Sequence, residues 1–262
     1  MKNNSFVKMI KGNSGIIAVL VIISVILSFA SPVFLTADNF LSVLRQVSNN
    51  MYLALGMTLV IILGGIDLSV GTCVAMCGTL TAGLMVNQGM PMGAAIAVGL
   101  LLGTLAGFLN GLIIATFKVP AFIVTMSMMN IAKGISYIYS GGRSIRVSNE
   151  VYTGIGTGKL FGVLPLPVVY MIILIAVFIV VLNKTKFGTY IFAIGGNRES
   201  ARLSGVPIKK VEIAVFTISG FLAAFAGIVL SARMYSGQPG VGEGYELDAI
   251  AACVLGGVSM TG

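Results

Sequence analysis

Few side chains in this sequence are equipped for acid–base or nucleophilic work, and their placement is uneven. There is no histidine, which removes the commonest general base and the commonest metal ligand. Between Arg45 and Lys118 the only charged side chain is Asp67, inside the apolar stretch IILGGIDLSV. A lone carboxylate in such a run either caps a helix end or belongs to a working path. Cys73 and Cys77 are one helical turn apart and read as small residues on a packed helix face rather than a redox or metal pair. Ser127, Asn130 and Lys133 recur at three-residue spacing, with Tyr137 near the same face. A polar stripe on a spanning helix faces the bundle interior or water, and Lys133 could also snorkel to the outer end. With no H-E-x-x-H and no convincing nucleophile–base pair, an intramembrane enzyme has the least support of the readings. The nearest approach to a phosphate loop, TGIGTGKL (153–160), has threonine at the first glycine position and leucine at the final serine/threonine position. ATP hydrolysis would have to come from another chain.

Apolar helices must hold these residues. The 262-residue chain is 57% hydrophobic and 9% charged, whereas soluble domains carry about 25% charged residues. The expected fold is all-α, a polytopic transmembrane bundle. Runs long enough to cross a bilayer are expected at Gly15–Leu35 and at about 43–64, 68–87, 91–117, 119–139, 164–183 and 211–232, and a further one opens near Ala249. Lys2, Lys8 and Lys11 precede the first, which reads as a retained signal-anchor. Ala249–Gly262 is too short to cross alone, so residues are expected beyond it.

With a cytoplasmic N-terminus, the crossings return the chain inside at 184. The segment 184–210 carries Lys184, Lys186, Arg198, Arg202, Lys209 and Lys210 against Glu199 alone, as cytoplasmic loops do. The net charge of +8 is thus read as positive-inside bias, not as a nucleic-acid surface. The last outer loop holds Glu243, Glu246 and Asp248 against Arg233, while Arg143, Arg146 and Lys159 run against the bias. This topology puts Asp67 near the cytoplasmic edge.

Two local patterns stand out. Gly99, Gly103, Gly107 and Gly111 recur every four residues, a stripe for close helix packing in lipid. Asn110 beside it could bond to a neighbouring helix or to a substrate. In IGGNRESARLSGVPIKKVE, Asn197 is a good N-cap, Glu199 and Arg202 suit the helix dipole, Gly205 can end the helix and Pro207 prevents its resumption. A short helix over about 198–204 follows, either a docking element or a helix resting on anionic lipid. Glu212 is expected to open the next span and Arg233 to close it. A fainter echo, LGGIDLSVG (63–71) against LGGVSMTG (255–262), suggests an internal repeat.

Taken together, GGIDLSVG, NGLIIATFKVPAFIVTM, NKTKFGTYIFAIGGNRESARLSGV, VFTISGFLAAFAGIVLSARM and GYELDAIAACVLGGVSMTG resemble the permease subunits of ribose- and galactoside-type bacterial ABC sugar importers. ESARLSG also resembles the E-A-A-x-x-x-G pattern of importer permeases, with Ser200 at its second position. The resemblance implies one transmembrane permease domain over 1–262, with about eight helices here and about ten in a complete member. It implies a multi-pass protein of the bacterial inner membrane that needs no metal or cofactor. A second permease subunit, identical or not, would complete the pore, and a periplasmic or lipid-anchored sugar-binding protein would deliver substrate. A separate ATPase would dock on residues 195–207 of the 184–210 coupling loop, through Gly196, Asn197, Glu199, Ala201, Arg202, Leu203 and Gly205. Asp67, Asn110, Ser127 and Asn130 are the candidates for the translocation path. An ion-coupled transporter of a small polar solute, with Asp67 and Lys133 bearing the charge, is the competing reading.

Overall fold

The computed structural model describes residues 14–259. Lys2, Lys8, Lys11 and the last three residues of LGGVSMTG lie outside the described residues. The helices are α1 Ser14–Ala30, α2 Ala37–Ile62, α3 Val70–Val86, α4 Met92–Phe117, α5 Ala121–Ser140, α6 Glu150–Thr157, α7 Leu166–Lys184, α8 Lys186–Gly196, α9 Arg198–Leu203, α10 Ile208–Arg233 and α11 Tyr245–Leu255. Two-residue strands form only small ribbons: β1 (Ile145–Arg146) pairs antiparallel with β4 (Ser236–Gly237), and β2 (Lys159–Leu160) with β3 (Leu164–Pro165). The fold is an all-α bundle. By length and composition α4, α5, α7 and α10 can each cross a membrane, while α3 is a shorter apolar helix. Helix α2 has the length, but Asp38 and Arg45 lie in its first half.

The helix ends follow local chemistry. Thr36, Asn149 and Thr185 cap α2, α6 and α8 by accepting from Asn39, Tyr152 and Gly188 N–H groups. Such caps satisfy donors that have no partner within the helix. Pro91, Pro120, Pro165 and Pro207 each stand directly before a helix. Pro207 was expected to keep the short helix from resuming; α9 ends at Leu203, and α10 starts as a separate helix directly after the proline. Proline lacks only an N–H that no helix entry needs.

Helix α10 is the centre of the bundle, with most of its residues buried. The glycine stripe of α4 lies against it. A Cβ on Gly103 would sit 2.6 Å from Ala224 Cβ and 2.7 Å from the Gly220 carbonyl, and one on Gly111 would sit 2.8 Å from Ile213 Cα. Gly107 packs on the Phe216 carbonyl and on Gly220. Backbones this close gain dispersion contacts that lipid cannot replace. Gly220, the counterpart on α10, is the residue that the stripe alone could not identify. Tyr52, fully buried, donates to the Pro167 carbonyl and meets Phe225 edge-on at 5.2 Å, tying α2 to α7 and α10. Cys73, Cys77 and Cys253 are free and buried.

The stretch after β4 departs from the expected outer loop. Gly242 packs on the Gly71 backbone at the start of α3. Gly242 and Gly244 take φ of 87° and 88°, a conformation that glycine reaches without strain. The chain thereby re-enters the bundle, and α11 runs beside α2, with Asn50 Nδ2 donating to Asp248 Oδ2 at 3.3 Å and Cys253 lying 3.3 Å from Thr58 Oγ1. The helix expected from Ala249 thus begins at Tyr245 and ends at Leu255.

Candidate functional site

The 184–210 segment is built as a rigid foot. Helix α8 brings Gly195 against the Ile62 carbonyl at the end of α2, where a Cβ would overlap. Asn197 Oδ1 accepts from Ser200 N–H at 2.8 Å and starts α9. Gly205 takes φ 79°, and Val206 N–H donates to the Ala201 carbonyl, closing the helix. Ala201 is buried among Ile191, Ile194, Val211 and Phe216. On the other side Leu203 is 80% exposed, beside an exposed Glu199–Arg202 pair at 2.9 Å. Gly196 is also exposed.

Arg198 joins the foot to the bundle. Its two terminal nitrogens donate to the two oxygens of Glu212, the second at 3.0 Å. The Glu212 side chain is only 7% exposed. The hydrogen bonds to the carboxylate push the Arg198 pKa further up. Glu212 therefore does not open α10, as expected; it lies a turn further in and neutralises Arg198. The sequence held the signal in an arginine and a glutamate flanking the Gly205–Pro207 turn, but not their contact. A cavity of about 350 Å³ opens beside the pair, bordered by Gly64, Gly65, Lys118 and Pro120.

Asp67 lies at the break between α2 and α3, where Gly64 reverses the chain with φ 79°. Its Oδ1 accepts from Ser69 N–H at 3.0 Å and Ser69 Oγ at 2.6 Å, and its Oδ2 accepts from Ser219 Oγ at 2.8 Å. Asn110 Nδ2 donates to Ser69 Oγ at 3.1 Å. Asp67 and Asn110 are thus buried in one network that joins α3, α4 and α10. Thr125 of α5 completes it, donating to the Ile66 carbonyl and accepting from Leu68 N–H. These are the backbone groups the break leaves without helical partners. The topological count put Asp67 at the cytoplasmic edge. Ser219, its partner, stands near the middle of α10, so the carboxylate is deeper than counted because residues 63–69 turn back into the bundle. Ser69, Thr125 and Ser219 had no sequence signal beyond their polarity.

Removing these acceptors is costly. Asp67→Ala strands the Ser69 and Ser219 donors, each at about 1–3 kcal/mol, and lowers the thermal midpoint of purified protein by several degrees. Asp67→Asn keeps one acceptor oxygen and has a much smaller effect. Equal melting of Asp67→Ala and unmodified protein would refute the brace.

Helix α5 divides into three strips. Thr125, Ala132 and Ser136 are buried, Ile131, Ile135 and Ile138 form an exposed apolar strip, and Ser127, Asn130, Lys133 and Tyr137 form an exposed polar one. Ser127 Oγ and Asn130 Nδ2 donate to carbonyls one turn back, at Ile123 and Met126. Lys133 Nζ meets Glu243 Oε1 at 2.7 Å. Its partner comes from the re-entrant turn ahead of α11, which local spacing could not reveal. Among the described residues no three His, Cys, Asp or Glu side chains gather to hold a metal.

The family model described as "Branched-chain amino acid transport system / permease component" matches residues 39–262. The chain belongs to that family. This permease is 44% identical over 247 residues to the ribose import permease protein RbsC of Haemophilus influenzae, covering 93% of this chain and 76% of the relative. It is 42% identical over 253 residues to RbsC of Escherichia coli K12, covering 94% and 77%. The L-arabinose transport system permease protein AraH of Escherichia coli K12 is 40% identical over 248 residues, covering 95% and 75%. No solved structure is significantly similar to the chain. The permease is the membrane-embedded transport subunit of an ABC importer, not an enzyme, and it works with an ATPase and a substrate-binding protein. The ion-coupled reading falls away.

Proposed function

We propose that this permease imports a monosaccharide of the ribose or arabinose class across the bacterial inner membrane. The length of the similarity carries the reading: at least 40% identity over more than nine-tenths of the chain to sugar import permeases. Residues 1–262 act as one permease domain. A second permease subunit, identical or related, completes the pore. This accounts for the exposed apolar side chains of α1, such as Leu20 and Ile26, which find few partners within the chain. Ser127 and Asn130 face the path, while Asp67 and Asn110 brace the helices that form it.

The ATPase docks on α9, through Leu203 and the polar groups of Glu199 and Arg202, with Asn197, Ala201, Gly196 and Gly205 holding the helix in shape. A preformed helix loses little entropy on docking, and the Arg198–Glu212 bridge passes its movement to α10. Nucleotide binding then shifts the pore by favouring one of its two states over the other.

Co-purification of the ATPase with and without residues 195–207 tests the assignment. The deletion is expected to abolish capture. Leu203→Asp is expected to weaken it about tenfold or more, because it places a charge in an apolar contact. Undiminished capture by the deleted protein would remove the docking role from this loop.

A further inference from the structure

We propose that the Lys133–Glu243 ion pair lines the outer half of the translocation path and hydrogen-bonds the hydroxyls of a neutral sugar in transit. This deepens the sugar-permease reading and rests on it. The pair is unusual in three ways that point the same way. It lies inside the bundle's span: Lys133 is well within α5, and Glu243 follows Gly242, which packs on Gly71 only a turn from Asp67. It is open, with side chains 45% and 51% exposed. It also stands on the polar strip of α5, while a separate apolar strip of Ile131, Ile135 and Ile138 is left for lipid or a partner helix.

Ionised groups at such depth are costly against hydrocarbon and are found facing water or protein. An open ion pair there needs water beside it, and a water-filled path supplies that. Snorkelling is unnecessary, because Lys133 already has its counter-charge within 2.7 Å.

The chemistry of the pair selects the passenger. Lys133 offers only donors and Glu243 only acceptors. A sugar hydroxyl is both, so neighbouring hydroxyls can bridge Nζ and Oε without leaving either charge unpaired. An anionic or cationic solute would gain one partner and face repulsion from the other. Asn130, one turn along the same strip, spends its Nδ2 on Met126 and keeps its carbonyl for a further hydroxyl.

The test uses the complete importer, with its ATPase and binding protein, in proteoliposomes. Lys133→Met and Glu243→Gln are each expected to raise the KM for ribose uptake about tenfold or more. ATPase capture and monodispersity should stay as in the unmodified importer, because an exposed pair contributes little to folding. A third variant, Lys133→Cys, should react with a membrane-impermeant maleimide and be protected by ribose; the three native cysteines are buried. Unchanged KM in both single variants, an unreactive Cys at 133, or reaction that sugar does not slow would each overturn the pair's role. In that event ribose uptake by the unmodified importer still upholds the permease reading. If the unmodified importer takes up neither ribose nor arabinose, the sugar reading itself fails and the pair's role fails with it.

Discussion

Gly107→Leu is expected to abolish recovery of folded, monodisperse permease. Gly107 stands where α4 crosses α10, against the Phe216 carbonyl and the Gly220 backbone. A side chain there cannot be absorbed by a rotamer change, since it meets main chain rather than the tip of a flexible residue. Overpacking in a tight core costs about 1–3 kcal/mol and occasionally more, and a backbone obstruction lies at the upper end. The helices would have to separate, losing the contacts of Gly103 and Gly111 as well. Gly93→Leu, on the same helix, has nothing within 4 Å of its Cβ position and should behave as the unmodified protein. Size-exclusion profiles and thermal melts of the two variants in detergent decide it. Normal melting of Gly107→Leu would mean that the close crossing is not needed.

Arg198→Ala is expected to uncouple the permease from its ATPase and to destabilise it. The substitution leaves the Glu212 carboxylate, 7% exposed, without its counter-charge. Breaking a fully buried pair from one side costs about 3–5 kcal/mol. Arg198 is half exposed and water can partly take its place, so about 2–3 kcal/mol is the better expectation. Functionally, α9 can still be gripped through Leu203, but its movement no longer pulls on α10. ATPase capture should persist while sugar uptake falls by an order of magnitude or more. Arg198→Lys should restore only part of it, since an ammonium cannot hold both carboxylate oxygens in a fork. The exchanged variant, Arg198→Glu with Glu212→Arg, should recover more uptake than either single change predicts, and a double-mutant cycle measures that coupling. Additive losses across the cycle would deny the bridge a role in transmission.

Helix α9 shows how far one-dimensional signals reach. Asn197, Glu199, Arg202 and Gly205 specify α9 almost to the residue because capping, dipole and left-handed termination are contacts among neighbours. The glycine stripe of α4 was legible for the same reason: a four-residue repeat marks one helix face. Its partner Gly220 was not, because which helix lies against that face depends on how the chain packs.

Asp67 and Lys133 mark the boundary more sharply. The sequence established that Asp67 stands at a glycine-broken helix end and that Lys133 shares a polar face with Ser127, Asn130 and Tyr137. It also established the apolar helical class and the cationic character of the 184–210 segment, since hydropathy, period and charge are sums over adjacent residues. Only the tertiary structure decided that Asp67 lies deep against Ser219, that Glu212 belongs to Arg198, and that Lys133 meets Glu243. Each of those pairs joins separate elements, brought together where the chain turns back at Gly64, at the Gly205–Pro207 turn and at Gly242. The direction of such a reversal is set by close packing against other helices, which no local pattern encodes.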